Sequence, residues 1–267
     1  MSALRLAIQG AAGRMGRRLI ALASAEPQMQ VVAALESATH PDLGSDAGVL
    51  AGISALGVPV AATLSAEQPV DCVIDFSVPE AVEGVVALCR SRHLPLVLAT
   101  TGLSAAQKEL VIATSEKIPL VWAPSMSLAV NVTMKLATIA AESLRDCPGG
   151  ADVEILERHH RFKQDSPSGT ALRFGELIAA AMGITRQVHG RHGQVGQRPH
   201  DEIGYHAIRV GDNPGEHTIV FGMLGESLEL TVKATNRDCY ATGALLAARF
   251  LVGRPAGRYT MFDVLGL

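Results

Sequence analysis

The stretch LRLAIQGAAGRMGR, residues 4–17, decides the fold of this 267-residue chain. Residues 4–9 are typical of a buried β-strand, and residues 14–25 are typical of a helix. Between them lie glycines at Gly10, Gly13 and Gly16. Glycines in such a turn let the backbone approach a ligand, and a helix N-terminus attracts an anion such as a pyrophosphate. The same turn could also serve only to connect a strand to a helix.

Strand-like and helix-like segments alternate through the first half of the chain. The strands are apolar throughout instead of alternating, which predicts a parallel sheet covered on both faces. Residues 37–66 are rich in Gly, Ala and Ser and predict loops with a short strand. The predicted strands are 4–9, 30–35, 70–76, 94–99 and 119–122, and the predicted helices are 14–25, 79–92 and 104–115.

The pattern changes after residue 123. Alternating polar and apolar residues in 228–233 predict an antiparallel sheet with one covered face, and the Gly- and His-rich residues 187–197 predict a flexible loop. We therefore expect two units: first an α/β unit with a parallel sheet, and then an α+β unit. The predicted boundary between them is at 125–129. The predicted helices here are 128–144, 168–181 and 238–252, and the strands are 152–159, 205–210, 217–221 and 228–234.

Composition excludes several classes of protein. Hydrophobic residues make up 48% and aromatic ones 4%, so the core is aliphatic. A formal net charge of -3 argues against a general nucleic-acid binder, which needs a basic surface. No apolar run is long enough for a membrane span, and the first residues lack the layout of a signal peptide. Four cysteines without paired spacing predict buried thiols in a cytoplasmic protein.

The ends of the predicted strands suggest a dinucleotide site. Glu36 ends the second strand, and a carboxylate there can accept hydrogen bonds from the ribose hydroxyls of NAD; it could also be a solvated strand end. Small residues at 99–102 (ATTG) and 123–126 (APSM) leave room for a nicotinamide. Arg14 and Arg17 flank the glycine turn, where they are either anion contacts or surface arginines.

The segment 157–171, ERHHRFKQDSPSGTA, is the second cluster of residues that could take part in catalysis or binding. We predict Ser166 as the N-cap and Pro167 as the first residue of the next helix. The N–H groups of 168–170 would then form an anion site, which suggests a small polycarboxylate substrate. A histidine or lysine beside it could supply a proton. A solvated charge run is the alternative, and the spacing does not fit a metal site.

These residues closely resemble the 4-hydroxy-tetrahydrodipicolinate reductase family, also called dihydrodipicolinate reductases, of bacterial lysine and diaminopimelate synthesis. The resemblance rests on GAAGRMGR, Glu36, ATTG, APSMS, HHRFKQDSPSGTA and GEHT (215–218). It implies NAD(P)H-dependent reduction of a small cyclic dicarboxylate with loss of water. It also implies a Rossmann-like dinucleotide domain from 1–127 and 236–267. A substrate-binding and tetramerisation domain with a mixed sheet, 128–235, would complete a homotetramer.

The resemblance also assigns residues to roles. His159 and Lys163 match the proton-transfer pair of the family, and His160, Gly169 and Thr170 match its substrate-binding residues. No metal is implied. The predicted cofactor-binding residues are Gly10, Ala11, Ala12, Gly13, Arg14, Met15, Glu36, Ser37, Ala99, Thr100, Thr101, Ala123, Pro124, Ser125 and Met126.

Two positions depart from the family pattern. Ser37 stands where the family often has an arginine that can meet a 2′-phosphate, and Met126 replaces a common aromatic. We therefore expect both NADH and NADPH to be used, with NADH modestly preferred. Two other interpretations stay open at this point: a different two-domain NAD(P)-dependent dehydrogenase of amino-acid metabolism, acting for example on a semialdehyde, and a non-catalytic dinucleotide sensor.

Overall fold

The computed structural model describes residues 3–267, which form two compact units. One unit comprises the chain up to Leu128 together with Arg237–Leu267, and the other is Ala129–Asn236. The strands are β1 (Leu4–Gln9), β2 (Met29–Leu35), β3 (Val60–Ala61), β4 (Cys72–Asp75), β5 (Leu96–Leu98), β6 (Pro119–Trp122), β7 (Asp152–His159), β8 (Arg186–His189), β9 (Glu202–Arg209), β10 (Glu216–Met223), β11 (Glu226–Lys233) and β12 (Gly257–Tyr259). The α-helices are α1 (Arg14–Ala25), α2 (Ala47–Leu50), α3 (Val82–Arg92), α4 (Ala105–Ser115), α5 (Leu128–Leu144), α6 (Gly169–Met182), α7 (Asp238–Leu251) and α8 (Met261–Leu265).

The first unit is a parallel sheet of seven strands in the order β12-β6-β5-β4-β1-β2-β3. The chain builds outward from β1 through β2 to β3, and then returns to place β4 on the other side of β1. Strand order therefore reverses at β1 and β4. In open α/β sheets, ligands bind at the carboxyl edge of such a reversal.

Helices cover both faces of this sheet, as predicted. Successive residues of β1 point to opposite faces. Leu6 and Ile8 pack in a cluster with residues of α1 and α7, whereas Ala7 packs in a second cluster with residues of α3 and α4. The apolar run of β1 is thus buried on both sides, and the prediction of a Rossmann-like parallel sheet is confirmed.

The second unit contains a mixed sheet of five strands in the order β11-β10-β7-β9-β8. The antiparallel pairing predicted from residues 228–233 is confirmed, since β11 runs antiparallel to β10. The strand β10 is also antiparallel to β7, whereas β9 runs parallel to β7 and β8. The strand β7 is central and has β10 on one side and β9 on the other. Side chains of β7 are therefore flanked by residues from both neighbours.

Several expectations need correction. Among the predicted strands, 70–76, 94–99 and 205–210 are observed as Cys72–Asp75, Leu96–Leu98 and Glu202–Arg209, and the helix predicted from 79 begins as an α-helix at Val82. Of the four cysteines predicted to be buried, Cys147 and Cys239 are only half-buried. The predicted loop 187–197 begins inside β8, which pairs with β9 up to His189. The last long helix ends at Leu251 instead of 252, and the short elements β12 and α8 after it were not predicted. Within residues 3–267, the structure contains no helix with the length and hydropathy of a membrane span.

Candidate active site

The glycine turn after β1 has a conformation that larger residues would disrupt. Gly10 has a φ of +76°, in the left-handed region. A Cβ on Gly16 would lie 2.1 Å from the carbonyl oxygen of Gly10 and 2.6 Å from the Cα of Ala11, so only glycine fits where α1 crosses the turn. Gly13 is the N-cap of α1 and has no side chain to cap it. The first N–H groups of α1 are therefore suited to bind a pyrophosphate.

Glu36 lies against this turn. Its Oε2 accepts a hydrogen bond from the N–H of Ala12 (3.2 Å), and its Oε1 accepts one from the N–H of Ser37 (3.1 Å). The carboxylate is only half-buried, and each of its oxygens has further lone pairs for ribose hydroxyls. The residues present thus fit a dinucleotide at the carboxyl edge of β1 and β2.

The two arginines beside the turn have different roles. Arg17 donates from Nε to the carbonyl oxygen of Ala12 (2.7 Å) and pairs with Asp42 (3.2 Å). Its guanidinium therefore braces the turn. Arg14 is exposed at the start of α1, so Arg14 is the arginine better placed to meet a bound anion.

Asp75, for which no role was predicted, connects the end of β4 to the residues after β5 through a hydrogen bond from Thr100. It is fully buried at the end of β4 and accepts hydrogen bonds from the Ser77 N–H (3.0 Å), the Ser77 hydroxyl (2.5 Å) and the Thr100 hydroxyl (2.9 Å). Burial raises the pKa of Asp75, while these hydrogen bonds act against the rise. The signal for Asp75 was a charged residue near the end of the apolar segment 70–76 (VDCVIDF), where it follows three consecutive apolar residues.

The other predicted cofactor residues lie along the same carboxyl edge. Ala99 and Thr101 flank Thr100 after β5, and residues 123–126 follow β6. Met126 is a core residue with 1% exposure, and a Cβ on Gly243 of α7 would lie 1.7 Å from its carbonyl oxygen. Met15 is half-buried against the core, whereas Ser37 and Pro124 are exposed.

In the second unit, the strand β7 carries a buried carboxylate beside the predicted catalytic histidine. Glu157 and His159 lie on the same face of β7, and His159 Nδ1 is 2.5 Å from Glu157 Oε2. Arg209 donates from Nη1 and Nη2 to the two oxygens of Glu157 at 2.8 and 2.7 Å. Burial alone would raise the pKa of Glu157, but the bonds from His159 and Arg209 outweigh it and lower that pKa to about 2.

The helix α6 begins later than predicted. Its N-cap is Ser168, not Ser166, and Pro167 lies outside the helix. The Ser168 hydroxyl accepts from the N–H of Ala171 (3.1 Å), and the N–H of Ser168 donates to Glu157 (3.1 Å). The Ser168 N–H is therefore not part of an anion site. The N–H groups of Gly169 and Thr170, the first two residues of α6, remain suited to one.

The loop between β7 and α6 carries the predicted lysine. Lys163 Nζ lies 2.8 Å from Asp165 Oδ1, and the N–H of Lys163 donates to the carbonyl oxygen of His160 (3.1 Å). Burial alone would raise the pKa of Asp165, but the hydrogen bond from Lys163 lowers it. The backbone carbonyl of Asp165 also accepts from Arg209 Nη2 (2.7 Å).

His217 completes the cluster from β10, where it is paired in register with Glu157. Its Nε2 lies 3.0 Å from the Ser168 hydroxyl, and its ring is 5.2 Å from that of His159. Burial, together with the nearby His159, lowers the pKa of His217 to about 3, so the ring is neutral near pH 7.

No role was predicted for Glu157, Arg209 or His217. The alternation of β7 was the signal that could have found the first: Val153, Ile155, Glu157 and His159 follow each other at every second position, which places the carboxylate and the histidine on one buried face. Arg209 and His217 join them only through strand pairing, which one sequence does not reveal. Among the described residues, the structure groups no three His, Cys, Asp or Glu side chains that could hold a metal ion.

Family comparisons cover both units. The family model described as "Dihydrodipicolinate reductase, N-terminus" matches residues 4–126, and its C-terminal counterpart matches residues 129–265. The chain belongs to the dihydrodipicolinate reductase family.

Individual members of the dihydrodipicolinate reductase family are similar along their full length. The 4-hydroxy-tetrahydrodipicolinate reductase of Rhodopirellula baltica is 56% identical and covers 99% of this chain and 96% of its own. The 4-hydroxy-tetrahydrodipicolinate reductase of Alkalilimnicola ehrlichii is 46% identical, and the match covers 98% of this chain and 99% of that protein. A dihydrodipicolinate reductase from Paenisporosarcina sp. TG-14, solved with dipicolinate bound, aligns with a TM-score of 0.76 at 25% identity and 98% coverage of both chains.

Proposed function

We propose that this chain reduces 4-hydroxy-tetrahydrodipicolinate to tetrahydrodipicolinate with loss of water, using NADH or NADPH, in lysine and diaminopimelate synthesis. One observation carries the proposal. The segment 157–171 brings a buried histidine, a lysine and a helix N-terminus together at the end of β7. This combination suits a reduction that needs both a proton donor and a carboxylate site.

Substrate binding is assigned to the start of α6. The N–H groups of Gly169 and Thr170 bind one carboxylate of the ring, and His160 contacts the same substrate from the preceding loop. Hydrogen bonds to a charged carboxylate are stronger than neutral ones, which favours a dicarboxylate over a monocarboxylate. The dipicolinate bound by the Paenisporosarcina relative is a ring dicarboxylate of this kind.

Proton delivery is assigned to His159 and Lys163. The bound dinucleotide supplies a hydride, and the overall reaction also consumes one proton and releases one water. Glu157 occupies Nδ1 of His159, so Nε2 is the ring atom left to exchange a proton. Lys163 holds its proton on Nζ beside Asp165. Either group is a chemically suitable proton donor.

Cofactor binding is assigned to the first unit. The N–H groups at the start of α1 hold the pyrophosphate, and Glu36 accepts from the adenosine ribose. Because the Glu36 carboxylate repels a 2′-phosphate and Ser37 offers no compensating charge, NADH is preferred by a modest factor. Arg14 flanks this turn and can contact a 2′-phosphate, which keeps NADPH usable. Because an exposed arginine–phosphate contact is worth only about 1 kcal/mol, it does not reverse the preference for NADH.

Domain roles, assembly and location belong to the same proposal. Residues 1–127 and 236–267 bind the dinucleotide, and residues 128–235 bind substrate and form a homotetramer. Exposed apolar residues of the second unit, among them Leu136, Ile139 and Leu228, line a cavity of about 580 Å³ and support an oligomer. Light scattering should give the mass of four chains.

The four free cysteines support a location in the cytoplasm, where thiols stay reduced.

A substrate comparison tests the proposed reaction. NADH oxidation is followed with freshly generated 4-hydroxy-tetrahydrodipicolinate and, separately, with amino-acid semialdehydes. We expect rapid oxidation only with the cyclic substrate. Oxidation with a semialdehyde alone would indicate a different dehydrogenase, and NADH binding without any turnover would indicate a sensor.

A further inference from the structure

We propose that Glu157, held by Arg209, is a positioning residue that fixes which ring nitrogen of His159 carries a proton and ties that histidine to the anion-binding start of α6. The inference rests on the proposed function and deepens it. It concerns a carboxylate that touches neither substrate nor cofactor in the assignments above, yet contacts His159 and the residue directly before Gly169 and Thr170.

Hydrogen-bond donors surround the Glu157 carboxylate. Its side chain is 1% exposed, and four donors surround it: Nδ1 of His159, both Nη atoms of Arg209 and the N–H of Ser168. A carboxylate can accept about four such bonds. The acceptor sites of Glu157 are therefore filled, and each donor has a fixed direction.

The Glu157 carboxylate determines which nitrogen of His159 carries hydrogen. An ionised carboxylate only accepts hydrogen bonds, so the His159 nitrogen that faces it must carry hydrogen. Nδ1 is thus protonated whether the ring is neutral or charged, and Nε2 is the atom that gains or loses the catalytic proton. Glu157 is ionised near pH 7, since the pKa of its carboxyl lies at about 2.

Glu157 is also connected to the other parts of the proposed site. Through Ser168, Glu157 holds the residue directly before Gly169 and Thr170. Through Arg209, it holds the backbone of Asp165, whose carboxylate pairs with Lys163. One buried carboxylate thus links the histidine, the helix N-terminus and the lysine loop, so its loss should misplace all three by a fraction of an ångström.

The neighbouring charges agree with this role. The groups that face the His159–Glu157 pair are Arg209 from β9, His217 from β10, and Lys163 and Asp165 from the loop. His217 is neutral, and its Nε2 shares a hydrogen bond with the Ser168 hydroxyl, which also accepts from the N–H of Ala171. Arg209 is then the cation that compensates Glu157 when the His159 ring is neutral.

The variant Glu157→Gln tests the role of the carboxylate. An amide has one acceptor oxygen and an NH2 group, so it would turn a donor toward Arg209 or toward His159. We expect kcat to fall by about 100-fold, the lower range for a proton-transfer group, with little change in the KM for NADH. The matched control is Glu154→Gln on the same strand. Glu154 also binds arginines and a histidine, but it does not contact His159.

A similar loss of thermal stability in both variants with a loss of kcat only in Glu157→Gln would support the proposal. Full kcat in folded Glu157→Gln, or an equal loss of kcat in Glu154→Gln, would overturn it. If Glu157→Gln does not fold, Arg209→Lys, which keeps the charge but loses the two-pronged bond, should lower kcat by about tenfold by the same reasoning. Full kcat in a folded Arg209→Lys variant would overturn the proposal equally.

The unmodified protein provides a test that needs no variant. Nitrogen-15 NMR of labelled histidine distinguishes the two neutral tautomers, at a pH where the ring is uncharged. We expect hydrogen on Nδ1 of His159, and hydrogen on Nε2 instead would refute the proposal. This result does not depend on turnover, so failure of the reductase assay and failure of the positioning role are separate outcomes.

Discussion

At the scale of single residues, we expect Glu36 and Ser37 to determine the choice of cofactor. The Glu36 carboxylate is bonded to the backbone of Ala12 and Ser37, which keeps its negative charge beside the proposed ribose site. Ser37 itself is exposed and neutral. A positive side chain at position 37 is therefore the smallest change that would favour a 2′-phosphate.

Ser37→Arg should raise kcat/KM for NADPH more than for NADH. An arginine can bind a phosphate through two parallel hydrogen bonds, and only NADPH offers that phosphate. The measurement is kcat/KM for each cofactor at fixed low salt, with Ser37→Gln as a neutral control of similar length. Strong NADPH preference in the unmodified protein, or equal effects of the two substitutions, would show that Glu36 and Ser37 do not set the preference.

His159→Gln and Lys163→Ala should each lose mainly kcat. Proton-transfer side chains contribute about 10²–10⁴-fold, whereas NADH is assigned to the other unit. Steady-state rates and NADH fluorescence titrations measure the two effects separately. His206→Gln is the control, because His206 also pairs with a glutamate on β7, Glu154, at 2.7 Å. Parental turnover in both active-site variants would remove them from the proposed roles.

At the scale of elements, the start of α1 depends on the absence of a side chain. Gly16→Ala places a methyl group against the backbone of Gly10 and Ala11, and such overpacking costs about 1–3 kcal/mol. We expect a lower melting temperature and weaker NADH binding by calorimetry. Gly84→Ala in α3 is the control, since a Cβ there meets nothing within 4 Å. It should stabilise the protein by up to about 1 kcal/mol, and equal behaviour of the two variants would contradict the tight crossing.

The strand β7 makes the second unit sensitive to acid. Burial alone would raise the pKa of Glu154, but its bonds with Arg191, Arg198 and His206 lower it from 4.5 to about 2. A group with a lowered folded pKa stabilises the protein above its unfolded pKa and loses that contribution as pH falls through the folded pKa. The contribution of Glu154 is thus complete above about pH 4.5 and disappears toward pH 2.

Glu154→Gln should therefore flatten the acid limb of the stability curve. Between pH 4.5 and 2, the slope of unfolding free energy against pH should fall by up to about 1.4 kcal/mol per unit, the value for one proton. Urea unfolding at several pH values, followed by a probe in the second unit, measures this slope. An unchanged slope would mean that Glu154 is not held ionised by its arginines.

The elements also indicate how far sequence patterns reach. Local sequence patterns specify β1, the glycine turn and α1, and apolar runs and glycine spacing predicted them. The bounds of β6, α5 and β7 were also predicted as observed. The start of α6 was misplaced because both Ser166 and Ser168 suit an N-cap; the observed cap is Ser168, whose hydroxyl accepts from Ala171 and whose N–H also bonds to Glu157 on β7. Short elements such as β12 have too few residues for a pattern.

At the scale of the whole molecule, family membership rests on matches across both units, and the proposed substrate is a ring with two carboxylates. Pyridine-2,6-dicarboxylate should therefore compete with the substrate. Pyridine-2-carboxylate lacks one set of charge-assisted hydrogen bonds, each worth about 1.5–3 kcal/mol, and should bind at least about tenfold more weakly. Inhibition constants for the two compounds provide the comparison, and equal values would contradict a site that holds both carboxylates.

Transfer of deuterium tests the proposed reaction most directly. NADH carrying deuterium at the transferred position of the nicotinamide is incubated with the protein and freshly generated 4-hydroxy-tetrahydrodipicolinate, and the product is analysed by mass spectrometry. We expect tetrahydrodipicolinate that contains one deuterium, formed in equal amount to the NADH consumed. Oxidation of NADH without deuterium in this product, or no oxidation by folded protein that still binds NADH, would contradict the assignment.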